Sequence, residues 1–325
     1  KQKWFNESSE LDLWILDNIY PKSTGYLKLA SNQSVLVKAG PNKEPTVVEG
    51  EPEELSKQYP TKQGNSNIWD TSIYRNSNLY IDANLGNTVE FWAKIDNPIS
   101  STFTIFTVDN GVSTDMPFSA ILTANQSTLT VTYASDTEQA RIAYDVSNLA
   151  GGDFLQSTWN HYAFSFINEG SVTKSEVYKN GELILSDTSQ ASISNIPSQE
   201  YLFLHINGQV TAIDMTVFRR HNGFCVDEFR FWKRRRTAQE IGRYWHTNIH
   251  GGTNTDNNKY SEQNRDVDIG VYFKFNEGIT GDPSIDSVVL DYSGRFSNGE
   301  ITNYTNTVRN TSSAIDEYAA IERNE

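Results

Sequence analysis

The sequence predicts an all-β protein, an antiparallel β-sandwich, and three observations lead to this fold class. Short segments of alternating apolar and polar residues recur through the middle of the chain, clusters of turn residues separate them, and one clear helix start is evident. Tyrosine, phenylalanine and tryptophan make up 12% of the residues, which favours strands because aromatic side chains suit a pleated, half-buried surface. Short strands without intervening helices indicate a sandwich rather than a parallel α/β sheet.

Composition divides the 325 residues into three parts. Residues 1–64 hold two apolar runs that we interpret as a strand pair, followed by a proline-rich acidic stretch typical of a linker. Residues 65–250 are predicted to form the sandwich. Residues 251–325 start with a polar linker and continue with predicted strands at Val271–Glu277 and Ser287–Asp291. A lone strand there would expose two phenylalanines, so we expect this part to dock on the sandwich or to belong to a second module.

The elements of the central part follow from the local pattern. Asn180-Gly181 lies between two alternating runs and supplies the positive φ angles of a tight hairpin turn. In the last strand, alternation places Asp227 on the face of Phe229 and Glu228 on the opposite face. The predicted strands are Asn78–Ile81, Thr88–Ile95, Phe103–Val108, Ser119–Leu122, Leu129–Tyr133, Trp159–Ile167, the two arms of Ser175–Ser186, Tyr201–Ile206 and Val226–Trp232.

A basic run, Lys233–Arg236, stands out in a chain with a formal net charge of −14 and a pI near 4.8. Thr237 and Glu240 form a capping-box pattern, so we expect a short helix to begin at Thr237 and the basic run to connect it to the preceding strand. We interpret the run as a solvated turn. The acidic balance argues against nucleic acid or an anionic membrane as the main partner, since the averaged field repels both.

The remaining composition bounds the setting of the protein. One cysteine, Cys225, rules out an internal disulfide, so the core alone must hold the fold. No run approaches the roughly 18 apolar residues of a membrane-spanning helix. The sequence begins at Lys1 without a methionine or a visible signal peptide, and we therefore expect a processed chain or a fragment.

Histidine and serine chemistry is disfavoured by spacing. His246 and His250 have the i, i+4 spacing of two helical zinc ligands, but Gly251-Gly252 follows directly and no third ligand is near in sequence, so a fraying helix end is favoured. Serine, histidine and aspartate are present without a nucleophile elbow, and no glycine-rich phosphate loop occurs.

Four phrases resemble successive landmarks of one family: TVEFWAKID (88–96), STWNHYAFSF (157–166), VYKNGELI (177–184) and VDEFRFWKRRRTAQEIGRYW (226–245). In order and spacing they are similar to the laminin-G-like branch of the concanavalin A-like lectin/glucanase domains, over Asn78–His246. The resemblance implies a two-sheet jelly-roll sandwich whose last core strand runs into a short helix. A common fold hosts many sites, so it says little about function.

The same resemblance raises two kinds of site. Glucanases of this superfamily use acidic residues in an E-x-D-x-x-E arrangement along one strand, and this chain has no match to it in its strands, so we expect no catalysis. Laminin-G-like domains often bind calcium through loop oxygens. Asp109-Asn110-Gly111 with Asp115 supplies that ligand type, but an ordinary Asx turn is favoured because a third fixed ligand is missing.

A second resemblance covers FKFNEGITG (273–281) and VLDYSGRFSNGEI (289–301), which look like the opening strand and turn of such domains. The combination of the laminin-G-like core, this trailing segment and the Asn/Thr-rich end is similar to large structural proteins of tailed bacteriophages. It implies a non-enzymatic structural or adhesive module in a virion or another extracellular assembly, with other subunits and a surface glycan as partners. The alternative is a carbohydrate-binding module of a secreted bacterial protein, with Trp69 and Trp245 as candidates for stacking on a sugar, although core packing is favoured for both. A glycoside hydrolase is the least favoured reading.

Overall fold

The computed structural model describes residues 25–38, 79, 81, 83–109, 118–134, 139–189, 192–193, 203–210, 217–247, 269–293 and 298–315. Within these ranges the strands are β1 Gly25–Leu29, β2 Val35–Lys38, β3 Asn87–Ile95, β4 Phe103–Asp109, β5 Phe118–Leu122, β6 Thr128–Ala134, β7 Gln139–Asp145, β8 Asn160–Glu169, β9 Val172–Lys179, β10 Glu182–Ser189, β11 Phe203–Ile206, β12 Gln209–Val210, β13 Val217–Phe218, β14 Phe224–Trp232, β15 Ile269–Phe273, β16 Val288–Val289, β17 Gly299–Ile301 and β18 Arg309–Thr311. The helices are α1 Ala238–Tyr244 and α2 Pro283–Asp286, and a 3₁₀ turn spans Ala124–Gln126.

Two antiparallel sheets pack face to face, which confirms the predicted all-β jelly-roll sandwich. Sheet I has the strand order β10-β9-β8-β3-β14-β1-β18, with β15 also paired to β14, and sheet II has the order β16-β17-β2-β11-β4-β5-β6-β7. Inward-facing aromatic side chains fill the space between the sheets. Phe91 of sheet I stacks on Phe229 at 5.8 Å between ring centroids and meets Phe106 of sheet II edge-on at 6.2 Å. Such contacts stabilise the core beyond area burial alone.

Strands from both ends of the chain enter the sandwich. β1 pairs with the first half of β14, through Leu27 opposite Val226, and β15 pairs with the second half, through Phe273 opposite Phe229. β2 pairs with β11 in the other sheet. Phe273 and Phe275 are buried, so this C-terminal segment contributes to the same core. The three-part division of the whole chain remains a prediction.

Several predicted elements differ from the structure. Leu79 and Ile81 are buried but lie outside any strand, and the flanking Asn78 and Tyr80 are outside the described residues. The strand pair expected in residues 1–64 lies only partly within the described residues. Its first run lies outside the described residues, and its second run divides into β1 and β2, which join different sheets. Strand β7 was not predicted, although its alternating apolar residues mark it as a strand.

The hairpin and the helix form where the sequence places them. Asn180 and Gly181 have φ angles of 50° and 81° in the turn between β9 and β10. Thr237 accepts a hydrogen bond from the backbone N–H of Glu240, whose side chain in turn accepts one from the Thr237 backbone N–H. Helix α1 lies on the outer face of sheet I, where Ile241 is buried against Ala163 and Tyr178.

The basic run is not the solvated turn that we expected. Lys233 and Arg236 are each only 4% exposed. Arg235 forms an ion pair with Glu176 at 2.6 Å, and Arg234, at 36% side-chain exposure, is the most open of the four. These cations therefore form contacts within the protein, and they hold the connection between β14 and α1 against sheet I. That the run does not bind nucleic acid remains a prediction.

Candidate ligand-binding pocket at one end of the sandwich

A pocket of about 690 Å³ opens at one end of the sandwich, and we call it the loop-end pocket. Three connections separated in sequence build it: the loop after β3, the 3₁₀ turn after β5 and the loop before β8. The backbone N–H of Ile95 donates to the Gln156 carbonyl at 2.8 Å, and that of Asn125 donates to the Ile99 carbonyl at 2.9 Å. The lining residues are Ile95, Asp96, Asn97, Pro98, Ile99, Asn125, Gln126, Asp153, Leu155, Gln156, Ser157 and Thr158.

Gln126 fixes two of these connections to each other. Its buried side-chain amide donates to the Leu155 carbonyl at 2.9 Å and accepts from the Leu155 N–H at 2.7 Å, in the manner of a strand pair. The backbone of Asn125 and Gln126 has φ angles of 57° and 51°, in the left-handed region that costs non-glycine residues free energy. The buried amide pair offsets that cost, and it holds the exposed Asn125 at the pocket rim.

Four exposed polar side chains lining the pocket make no hydrogen bond to any other residue that the structure describes. They are the carboxylate of Asp153, the carboxamide of Asn125 and the hydroxyls of Ser157 and Thr158. Gln156, in contrast, is used internally, since it donates to the Gly151 carbonyl at 2.6 Å. The pocket thus presents unused donors and acceptors above buried apolar side chains, and this combination suits a small polar ligand.

The second pocket carboxylate, Asp96, is already engaged. It forms an ion pair with Lys28, and this contact raises the pKa of the lysine, against the opposing effect of burial. Cys225 lies beside it, with the thiol 3.8 Å from an Asp96 oxygen. Burial, together with the Asp96 charge, raises the pKa of that thiol to about 12, so it stays protonated and packs as an apolar residue.

Most residues singled out in the sequence for metal binding lie outside the described residues. Asp109 ends β4, while Asn110, Gly111 and Asp115 lie outside the described residues, so the choice between the favoured Asx turn and a calcium site is not tested. His246 is exposed and His250 is outside the described residues. Among the residues that the structure does describe, no group of three potential metal ligands occurs. In those same ranges, no helix is long and apolar enough to cross a membrane.

Of the two candidate stacking tryptophans, Trp69 lies outside the described residues. Trp245 follows helix α1 and packs against Trp92, with ring centroids 5.5 Å apart, and against the Gly181 turn. It is half-buried in an aromatic cluster on the outer face of sheet I rather than on the pocket lining. Its position matches the core-packing role that the sequence favoured.

The acidic pair in β14 is arranged differently from the prediction. A β-bulge with φ 52° at Glu228 interrupts the alternation, so Asp227 and Glu228 both lie on the outer face of sheet I. Asp227 accepts a hydrogen bond from the Ala314 N–H at 2.9 Å, and Glu228 accepts from the Tyr272 hydroxyl and pairs with Arg230 at 3.1 Å. Burial, followed by the Glu228 charge, raises the pKa of Asp227. Both side chains are at least 96% buried, so no substrate reaches them.

A buried ion cluster lies beside this pair. The carboxylate of Glu90, 1% exposed, approaches Arg236 at 3.1 Å, His161 at 3.5 Å and Arg230 at 3.7 Å. Burial alone would raise the pKa of Glu90, but the charges of Arg236, His161 and Arg230 together lower it. Burial lowers the pKa of His161. The cluster fixes the outer face of sheet I to the segment that leads into α1.

The pocket residues were not among the sequence-predicted sites. The one local signal is the polar loop GGDFLQSTWN (151–160), whose paired glycines precede Asp153. The residues across the pocket from this loop include Asn97 and Asn125, which belong to loops distant in sequence. No short sequence motif contains both of them and Asp153. Only the fold brings them together.

Residues 70–242 match the family model of the concanavalin A-like lectin/glucanase superfamily. The chain belongs to this superfamily. The match covers the predicted sandwich, and no curated protein matches the chain. Membership agrees with the two-sheet fold, and a superfamily of lectins and glucanases includes both binding and catalytic proteins.

Solved structures with a similar fold include three from different organisms. A Bacteroides ovatus protein provisionally described as carbohydrate binding has 15% identity and a TM-score of 0.49, with 89% of this chain and 60% of that protein covered. A heptameric pentraxin from Limulus polyphemus has 11% identity and a TM-score of 0.41, with coverages of 68% and 81%. The CBM40 of a Ruminococcus gnavus sialidase, bound to sialyllactose, has 16% identity and a TM-score of 0.38, with coverages of 50% and 84%. At these identities the likeness concerns the fold alone.

Proposed function

We propose that this chain is a non-catalytic glycan-binding module and that the loop-end pocket holds a sugar. The observation that carries the proposal is the set of four polar side chains, Asn125, Asp153, Ser157 and Thr158, that make no hydrogen bond within the described part of the chain and lie on a frame fixed by other hydrogen bonds. A sugar offers hydroxyl donors and acceptors around an apolar ring, and a carboxylate, a carboxamide and hydroxyls complement them. A frame that is already ordered reduces the entropy lost on binding.

Binding is favoured over hydrolysis by the state of the acidic residues. Glycoside hydrolysis needs two cooperating carboxyl groups that flank the scissile bond. Within the pocket lining, Asp96 is held by Lys28, which leaves Asp153 as the carboxylate available to a ligand. The buried Asp227 and Glu228 are out of reach of a substrate.

A glycan array probed with the purified chain and with its Asp153→Asn variant tests the proposal. We expect a defined set of glycans to bind the parent chain, with weaker signals for the variant. A reducing-sugar assay on the bound glycans is expected to show no release over the uncatalysed rate. Retention of every signal by Asp153→Asn would contradict the assignment of the pocket, and release of reducing ends would contradict the non-catalytic role.

The assembly in which the module acts belongs to the same proposal. The resemblance of the whole arrangement, a laminin-G-like core with a trailing segment and an Asn/Thr-rich end, to phage structural proteins supports a structural or adhesive role in a virion or another extracellular particle. Antibodies against residues 65–250 are expected to label intact particles from the source. Labelling of the cell interior alone would contradict this location.

A further inference from the structure

Arg220 is a partly buried arginine at the same end of the sandwich, just before β14. One terminal nitrogen, Nη1, donates to the Asn32 carbonyl at 2.5 Å, and the other, Nη2, donates to the Ser34 hydroxyl at 3.1 Å. The third nitrogen, Nε, is buried without a hydrogen-bond partner. A guanidinium group has five N–H donors, so one N–H on each terminal nitrogen remains unused.

Among the described residues, no carboxylate lies within ion-pair distance of this partly buried cation, in contrast to the buried arginines Arg309 and Arg230. Arg309 pairs with Glu277 at 2.9 Å, and Arg230 pairs with Glu228 at 3.1 Å. All hydrogen-bond acceptors of Arg220 are neutral, and burial lowers its pKa. Partial desolvation of a guanidinium without a counter-charge carries a free-energy cost, smaller than that of a fully buried ion. No acidic residue in the described part of the chain forms an ion pair with Arg220, and this favours a role in binding a ligand.

Arg220 is linked to the loop-end pocket through its neighbour in sequence. The ring of His221 makes a 3.0 Å hydrogen bond to the Asn97 carbonyl, and the Asn97 side chain donates to the Asn222 carbonyl at 3.0 Å. Asn97 lines the pocket. The segment that carries Arg220 is therefore bonded directly to the pocket rim.

We propose that Arg220 binds the carboxylate of an acidic sugar residue in the glycan. Two N–H groups on one planar guanidinium match the two oxygens of a carboxylate, and such charge-assisted pairs are stronger than neutral hydrogen bonds. A single carboxylate also suits the acidic protein better than a densely charged polymer, which its net charge of −14 repels. The proposal extends the proposed function by naming a substrate class, a glycan that contains uronic or sialic acid.

Isothermal titration calorimetry with three probes tests this proposal: the methyl glycosides of glucose, glucuronate and glucose 6-sulfate. For the parent chain we expect glucuronate to bind about tenfold more tightly than glucose, from one charge-assisted contact. Arg220→Gln is expected to remove this preference and to leave glucose binding unchanged. Arg220→Lys keeps the charge without the planar donor pair, so it should retain only part of the preference for glucuronate. This variant also provides the test if Arg220→Gln does not fold. Arg219→Gln removes the same charge from the adjacent exposed position and should retain the preference.

The outcomes separate this proposal from the function of the pocket. Glucose binding that depends on Asp153, without a preference for glucuronate, would overturn the role of Arg220 and leave the pocket assignment intact. Glucuronate binding that depends on Arg220, with no binding of glucose, would overturn the pocket assignment and leave the role of Arg220 intact. Tighter binding of the sulfate than of glucuronate, or an equal loss in Arg219→Gln, would contradict a specific carboxylate contact. Binding of none of the three probes would overturn both assignments.

Discussion

Replacing Glu90 with glutamine removes the negative charge that balances the buried cluster on sheet I. Glu90 is 1% exposed, and it lies 3.1 Å from Arg236 and 3.7 Å from Arg230. Removing one partner of a buried ion pair costs about 3–5 kcal/mol because the other charge stays buried. Two features indicate the lower end of that range: Arg230 keeps Glu228 as a partner, and neither Glu90 oxygen has a partner in hydrogen-bond geometry. We expect Glu90→Gln to lower the free energy of unfolding by about 3 kcal/mol.

Equilibrium unfolding in urea at pH 7, followed by tryptophan fluorescence, measures this change. Glu182→Gln makes the same chemical change on the exposed strand β10, and it is expected to alter the free energy of unfolding by at most about 0.5 kcal/mol. An effect of Glu90→Gln no larger than that of Glu182→Gln would refute the view that the basic run is held by buried charge. The slope of the transition should stay constant, since a change there would indicate a different unfolded state.

Three further predictions concern the fold. Ending the chain after residue 250 removes several buried apolar side chains, and three of them, Val271, Phe273 and Phe275, contribute about 5–9 kcal/mol by their burial before entropy is counted. We expect cooperative urea unfolding to be lost, and an unchanged midpoint would show the segment to be passive. Acidification should lower the urea midpoint in two steps. First, the unfolded chain protonates His161 near its ordinary pKa of 6.5, while burial lowers the pKa of this histidine in the folded chain. Stability is then lost further as the pH falls below 4.5 through the lowered pKa of Glu90, and Glu90→Gln should reduce this second loss without abolishing it, because the pKa values of Glu176 and Asp286 are lowered as well. Gly181→Ala should lower the thermal midpoint, because Gly181 has a φ of 81° and an added Cβ would lie only 2.4 Å from the Trp245 ring. Gly170 has a similar φ of 67° but open space around it, so Gly170→Ala should lower the midpoint less. Equal effects of the two variants would contradict the Trp245 contact.

The fold was predictable where local chemistry decides the structure. Asn180-Gly181 dictates a hairpin through its positive φ angles, and Thr237 with Glu240 dictates a helix start through reciprocal hydrogen bonds. Both signals lie within four residues and do not depend on the rest of the chain. Alternation likewise gave most strands of the sandwich, since one face of each must be buried.

Features that depend on distant residues were not predictable. The bulge at Glu228 places Asp227 on the outer face, and strict alternation has no means of indicating such an insertion. The burial of Lys233 depends on elements that pack over it only in the folded chain. Similarly, the pocket joins Asn125 to Asp153 through the Gln126 amide pair, a contact between two loops with no shared pattern. Sequence therefore predicted the scaffold better than the site.

The most direct test of the glycan-binding account is calorimetric titration of the tightest array ligand into three versions of the chain. Asp153→Asn should weaken binding by about tenfold or more, because it replaces a charged acceptor by a neutral amide without changing the shape of the pocket. Asp187→Asn makes the same change on the exposed outer strand β10 and should leave the affinity unchanged. Equal affinities for the parent chain and Asp153→Asn, or the absence of any glycan ligand on the array, would contradict the central claim.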